Sequence, residues 1–407
     1  MIDTQTDPYS LINYMDKNTK KVIAASYIGY ITQAIVNNFT PLLFVFFARD
    51  FGVSLEQVTL LITLNFSVQL AVDLIASRIT DRIGYKPLVI AAHLFVAAGF
   101  VGMGTLTLLP DPYAWLLVSS VLFAIGGGLI EVIISPIVEA CDTDEKSGAM
   151  SLLHSFYCWG QVFAVVVSTL FFFAFGIENW RIMAVIWAAV PLFNTFFFAG
   201  LKIKQLNPEG GTVRVRVLAR KGLFWLLVVM MLCAGASELA MSQWASAFAQ
   251  SGLGVDPTVG NLAGPCLFAV FMGSARAFYG KFSAKIKLEK FMLISCALCI
   301  AGYLTACLSP IPAVGFIGCS IVGLSVGIMW PGTYSIAGAR LPMGGTAMFA
   351  LLALAGDLGC MSGPTAAGLI SSATDGRLQT GLIFSAIFPL ILGIAALALY
   401  KKAEHKI

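Results

Sequence analysis

Five acidic residues sit inside long apolar stretches of the chain: Asp73, Glu131, Glu139, Glu238 and Asp357. Insertion of a charged side chain into a bilayer costs about 2.5–3.5 kcal/mol, so acids retained there face a bundle interior and mark function. Glu131 follows the run Gly126-Gly127-Gly128-Leu129-Ile130 and falls near the middle of its stretch. There a partly desolvated carboxyl group can load and release a proton or hold a polar ligand. Glu238, in Gly235-Ala236-Ser237-Glu238, is expected to share both tasks, with its helix bending where Gly235 and Ser237 loosen it. Glu139, eight residues beyond Glu131, is either a cavity acid or a solvated helix end. Asp357, between Gly356 and Gly359, either lines a cavity or caps a broken helix.

Neutral polar residues recur at helical spacing. Gln33 and Asn37 are four apart and share a face, with Asn38 beside them, and His154 and Gln161 are seven apart. Amides donate to and accept from hydroxyls, and aromatic faces cover sugar C–H surfaces. These residues, with Trp159, Trp244 and Trp330 available to stack on a ring, suit a polyhydroxylated ligand. The competing reading is interhelical hydrogen bonding, worth about 0.6 kcal/mol per bond. His154 is also a candidate proton relay. Asp73 and Arg276 are expected near the ends of their stretches as gating groups, with Asp73 paired to Arg78 or Arg82 and Arg276 snorkelling to the interface.

The elements that must carry these residues follow from composition. The 407 residues are 58% hydrophobic and only 11% charged, against roughly 25% charge in soluble domains. A soluble enzyme is excluded, and a net charge of +4 from 25 basic and 21 acidic residues is too balanced for a nucleic-acid footprint. A helix needs about 20 apolar residues to cross a bilayer. Twelve such stretches occur, at 22–48, 56–78, 87–109, 113–140, 148–175, 181–201, 222–249, 257–280, 288–308, 313–339, 344–372 and 378–400, and none alternates as a β-barrel strand would. The fold expected is all-α and integral to the membrane. Twenty-two of the 25 Lys and Arg fall on one side, and only Arg49, Arg181 and Arg377 on the other. The positive-inside rule then puts both termini in the cytoplasm of a cell or plasma membrane protein.

The basic connection 202–221 divides the spans into two groups of six. The expected organisation is a leader over 1–20 that starts as a surface helix, a six-helix bundle over 21–201, a linker over 202–221, a second bundle over 222–401 and a tail over 402–407. Two such pseudo-symmetric halves are a common transporter plan, with substrate held between them near the midplane. Cys296-Ala297-Leu298-Cys299 in an apolar helix reads as packing rather than redox or metal chemistry. There is no phosphate-binding Gly loop ending in Lys-Ser/Thr, so direct use of ATP is not expected.

Between spans two and three, Ser77-Arg78-Ile79-Thr80-Asp81-Arg82-Ile83-Gly84-Tyr85-Lys86 resembles the Gly-x-x-x-Asp-Arg-x-Gly-Arg-Arg signature of the major facilitator superfamily. The resemblance implies that Asp81 and Arg82 form part of a gate, with Ser77 and Tyr85 as departures. Span four, from Gly126 to Glu131 and on to Ser135-Pro136, resembles the fourth helix of the fucose-galactose-glucose proton symporters, with Ser135 where that group commonly has Asn. The segments Ser151–Gly160 and Gly327–Ser335 resemble its fifth and tenth helices. In span one, Asn37-Asn38 followed by Pro41 stands where the fucose type carries Asn-Asp and then Pro. Asn cannot titrate, so proton coupling must rest on Glu131 or another carboxyl group, and facilitated or sodium-coupled transport gains ground.

The expected function is therefore secondary transport of a small polar solute, a sugar or sugar derivative, by proton symport, with proton-coupled efflux of drugs or metabolites as the alternative. No catalytic residue, metal or bound cofactor is expected. A proton or sodium gradient is the driving force, the bilayer and the solute are the partners, and the chain is expected to act as a monomer.

Overall fold

The computed structural model describes residues 16–141, 146–204, 215–282, 287–341 and 345–404, with the side chains of 77, 78, 81, 82, 146–151, 215, 216, 280–282, 345–347 and 402–404 outside that description. Among the described residues the chain is helical and has no strand. Twelve helical segments are long and apolar enough to cross a bilayer: Lys17–Asp50, Leu55–Ala76, Tyr85–Leu108, Pro112–Glu139, Leu152–Phe175, Ile177–Ala199, Gly222–Gly252, Pro257–Tyr279, Leu288–Leu308, Pro312–Arg340, Met348–Ala373 and Leu378–Lys401. They are spans one to twelve, each coinciding with one stretch expected from hydropathy. The leader helix expected over 1–20 falls mostly outside the described residues; span one starts at Lys17, capped by the Asp16 carboxylate, which accepts from the amides of Asn18 and Thr19.

Proline sets the local breaks, because it removes a backbone donor and clashes with the preceding turn. Pro41 interrupts span one with a 3₁₀ turn over Thr40–Leu43. Span ten is divided between Pro312–Val326 and Met329–Arg340, just ahead of Pro331. The wide turn Leu262–Cys266 in span eight contains Pro265. Span seven is one continuous α-helix from Gly222 to Ala247, with Gly235 and Ser237 inside it. Gly235 instead lets span seven meet span eleven, since a Cβ there would overlap the Gly356 carbonyl oxygen. Span eleven is likewise continuous over Gly345–Ala373, so Asp357 caps nothing.

An even number of spans brings Lys17 and Glu404 to one end of the molecule, here called the inner end. At that end Gly84 makes the tight turn between spans two and three with φ of 87°, a left-handed conformation that favours glycine. Lys86 then reaches the last turn of span six, its Nζ donating to the carbonyls of Ala199 at 2.8 Å and Leu201 at 2.9 Å. A cation there complements the negative end of the helix dipole.

The two six-span halves meet mainly towards the outer end. Gln243 on span seven donates to the Asn37 carbonyl on span one at 2.9 Å, and Gln161 on span five donates to Ser242 on span seven at 3.0 Å. Spans two and eleven join through Glu56–Ser372 at 3.0 Å, Thr63–Thr365 at 2.7 Å and Ser67–Met361 at 3.0 Å. Towards the inner end the halves part. His154 and Ser335 are exposed there, and Glu131, Tyr157, Trp330, Tyr334 and Asp357 are partly so.

Candidate transport site

Glycine places Glu131. A Cβ on Gly126 would overlap the carbonyl of Ala92 on span three, one on Gly127 would lie 2.8 Å from Gln33 Oε1, and one on Gly128 would lie 3.0 Å from the Gln69 Cα. Three successive hydrogens therefore let span four press against spans three, one and two, and the next inward turn carries Glu131 to the middle of the first half. Its Oε2 accepts from Gln33 Nε2 at 3.1 Å.

Gln33 is the hub of an amide network. The same Nε2 donates to Gln69 Oε1 at 2.8 Å, and Gln69 Nε2 donates to Asn37 Oδ1 at 2.9 Å. Asn65 Nδ2 also donates to Asn37 Oδ1 at 3.2 Å, and Asn37 Nδ2 donates to the Tyr157 hydroxyl at 3.3 Å. Spans one, two, four and five are tied together by side chains that can also exchange bonds with hydroxyls. Gln33 Oε1 is buried and accepts no bond from the protein. Tyr30, three residues before Gln33, bonds Ser135 at 2.9 Å and meets His154 edge-on with ring centroids 5.3 Å apart. Tyr30, Asn65, Gln69 and Tyr157 thus join the site without having been singled out from sequence, and Ser135, noted there only as a departure from the family's Asn, joins it through Tyr30. The i, i+4 pair Asn65 and Gln69 on an apolar helix was the available signal.

Asn38 does not join this network. Its amide donates to the Ala34 carbonyl of its own helix at 2.8 Å, because it lies about 100° around the axis from Asn37. Gln161 is 1% exposed and serves the contact with Ser242 rather than the cavity.

The second half contributes an ion pair. Arg276 Nη2 lies 3.3 Å from Glu238 Oε2, Nε donates to the Gly327 carbonyl at 3.3 Å, and Nη1 reaches Cys158 Sγ on span five at 3.3 Å. This corrects the expected gating position of Arg276. It does not snorkel to the membrane surface, because span eight turns it inward onto Glu238 and across to the first half. Asp73 lies beside Asp357 of span eleven, across the boundary between the halves, with its Oδ1 buried, and the Arg78 and Arg82 side chains expected to pair with it fall outside the described residues. Asp81, Arg82 and Arg78 have side chains outside the described residues. Glu139 ends the span-four helix two turns from Glu131 and is not among the groups around Gln33.

The three Trp candidates separate. Trp159 is 48% exposed, on a stripe with the likewise exposed Leu152, Phe163 and Leu170, of which Phe163 meets Trp187 of span six edge-on. Trp244 is buried, tilted against Phe44 with centroids 5.6 Å apart and donating to the Pro364 carbonyl at 2.9 Å, so it closes the outer end. Only Trp330 borders the space between the halves, lying over Gly356 and edge-on to Tyr334.

Twelve membrane helices in two halves, joined at one end and parted at the other around amides, carboxyl groups and one guanidinium, define a solute transporter rather than an enzyme. A family model described as Major Facilitator Superfamily matches residues 26–350, and the chain belongs to that family. Among solved structures, a bacterial homologue of the human lysosomal transporter Spinster, crystallised inward-facing and occupied, superposes with a TM-score of 0.73 at 16% identity, covering 95% of this chain and 97% of that one. The same homologue in its inward-facing, unoccupied form gives a TM-score of 0.75 at 15% identity, covering 95% and 98%. A point variant of the E. coli fucose:proton symporter FucP gives 0.65 at 17% identity, covering 93% and 98%. These likenesses concern the fold. No curated protein matches the sequence.

Proposed function

We propose that the protein is a proton-coupled symporter of a small polar solute, a sugar or sugar derivative, working by alternating access with both termini in the cytoplasm. The observation that carries this reading is Glu131. It is a partly exposed carboxyl group inside the first half-bundle, with one described donor, Gln33, which itself anchors an amide and hydroxyl network of spans one, two, four and five. A sugar hydroxyl can replace any of these amide bonds at little cost, and Trp330 offers a ring face. Glu131 takes up the coupling role that Asn38 cannot fill, and Glu238 is the second candidate, held by Arg276. The inner or plasma membrane is the proposed location.

The test is uptake of labelled sugars into proteoliposomes with an inward proton gradient, an inward sodium gradient, or neither. Wild type should accumulate substrate only with the proton gradient, whereas Glu131→Gln should equilibrate it without accumulation. Accumulation by Glu131→Gln equal to wild type removes Glu131 from the coupling step.

One observation favours a second reading. Among the described residues, Asp73, Glu131, Glu238 and Asp357 lie around the space between the halves with one guanidinium, Arg276, and the imidazole of His154, an acidic excess that suits a cationic substrate exchanged for protons. Resistance profiling of an overexpressing strain against cationic drugs separates efflux from uptake.

A further inference from the structure

Span one breaks beside a small cavity. Its first helix ends at Asn38, and a 3₁₀ turn over Thr40–Leu43 follows. Against that break lies a space of about 10 Å³, room for one water-sized guest. It is bordered by Asn37 and Thr40 of span one, Asn65 of span two, Ser120 of span four and Gln243 of span seven. Two oxygens of these residues, Thr40 Oγ1 and Asn65 Oδ1, are shut off from solvent and have no partner, and the residues are only 8% and 7% exposed. Thr40 is unlike Thr32 and Thr59, whose hydroxyls donate to the carbonyl four residues back at 2.9 Å and 2.7 Å.

Pro41 has no N–H to give the Asn37 carbonyl four residues before it. Gln243 donates there at 2.9 Å, which leaves that oxygen a second lone pair. The amide nitrogens around the cavity are already engaged: Asn37 donates to the Tyr157 hydroxyl, Asn65 to Asn37 Oδ1 and Gln243 to the Asn37 carbonyl. What the bordering residues have to spare is oxygen, on Thr40, Asn65, Ser120 and the Asn37 main chain. A water molecule donates only two hydrogens, whereas a cation satisfies all of these oxygens at once. The negative end of the helix that stops at Asn38 adds to the attraction, and freed carbonyls at such half-helix ends coordinate sodium in transporters. No described carboxylate borders the cavity, so it suits a monovalent ion better than calcium or magnesium.

We infer that this cavity binds one dehydrated alkali-metal cation, held by Thr40 Oγ1, Asn65 Oδ1, the Ser120 hydroxyl and the Asn37 carbonyl. The ion is resident rather than driving. It fills the break in span one at the point where Gln243 joins the first half to the second, and so braces the contact that closes the outer end. The site depends neither on a sugar as substrate nor on proton passage through Glu131.

The experiment is equilibrium binding of radioactive sodium to the purified full chain in detergent micelles, in choline chloride buffer. The wild type should bind sodium saturably, at about one ion per chain. Unlabelled sodium or potassium should displace the label, and whichever does so at the lower concentration is the resident ion. Thr40→Val keeps the volume and removes the oxygen, and Ser120→Ala removes the second hydroxyl. Each should weaken binding at least about tenfold, and either one carries the test where the other does not fold. Ser119→Ala deletes a neighbouring buried hydroxyl that does not border the cavity, and should bind as wild type does. No substrate and no gradient enter the assay, so its failure leaves the reading of Glu131 standing. Absence of saturable binding, wild-type affinity in folded Thr40→Val or Ser120→Ala, or an equal loss in Ser119→Ala overturns the inference.

Discussion

Removing one partner of the Arg276–Glu238 pair should harm the protein far more than removing both. The side chains are 20% and 9% exposed, and one Nη2–Oε2 contact at 3.3 Å joins them. At an effective dielectric of about 20, two unit charges at that separation attract by about 5 kcal/mol. Each ion's desolvation costs several kcal/mol in return, so the net value of the intact pair is near zero. Truncation leaves the opposite charge stranded. Arg276→Met leaves Glu238 without its cation, and Glu238→Met leaves Arg276 with one carbonyl and two sulfur acceptors. Each single change should cost about 3–5 kcal/mol, while the double change to Met, which replaces the pair with apolar volume, should fall within about 1 kcal/mol of wild type. Equilibrium unfolding in mixed micelles completes the double-mutant cycle, and the expected interaction energy is several kcal/mol. Additive single and double effects would refute the assignment of a buried, mutually dependent pair.

Other outcomes follow from single contacts. Gly126→Val should destabilise by about 1–3 kcal/mol or more in thermal unfolding, because the new side chain collides with the Ala92 carbonyl. Gln33→Leu should cost about 1–3 kcal/mol by leaving Gln69 Oε1 and Glu131 without their donor, and should lower uptake more than Gln161→Leu does. Trp159→Ala on the outward stripe should leave substrate uptake at wild-type level, whereas Trp330→Ala should reduce it. At the first helix cap, the side-chain hydrogen bond from Thr19, then the amides of Thr19 and Asn18, hold the Asp16 carboxyl below its ordinary value. The stabilisation is therefore complete above the ordinary Asp range and is lost as pH falls through the lowered value. Hydrogen exchange of the first turn of span one should accelerate there in wild type, but not in Asp16→Ala.

Much of this architecture was legible in the sequence because the bilayer imposes a one-dimensional rule. A span is a length of apolar chain, so the twelve stretches could be counted and all coincide with helices, from Lys17–Asp50 to Leu378–Lys401. The helical spacing of Gln33 and Asn37 announced a shared face.

Contacts between spans were not legible, since spacing fixes which face a residue occupies but not which helix lies opposite. Asn37 and Asn38 are adjacent in sequence, yet one ties spans one, two and five together while the other bonds its own backbone. Arg276 and Asp73 looked alike as charges near span ends. Tertiary packing turned the first onto Glu238 and Cys158 and set the second against Asp357. Likewise Trp159 and Trp330 differ only in which side of their helices meets protein. The sequence by itself determined a twelve-span membrane protein with its acids inside the bundles, because burial cost acts on each residue separately. Only the tertiary structure decided which acid meets an amide, which a guanidinium and which another acid, because those energies belong to pairs brought together by the packing of distant helices.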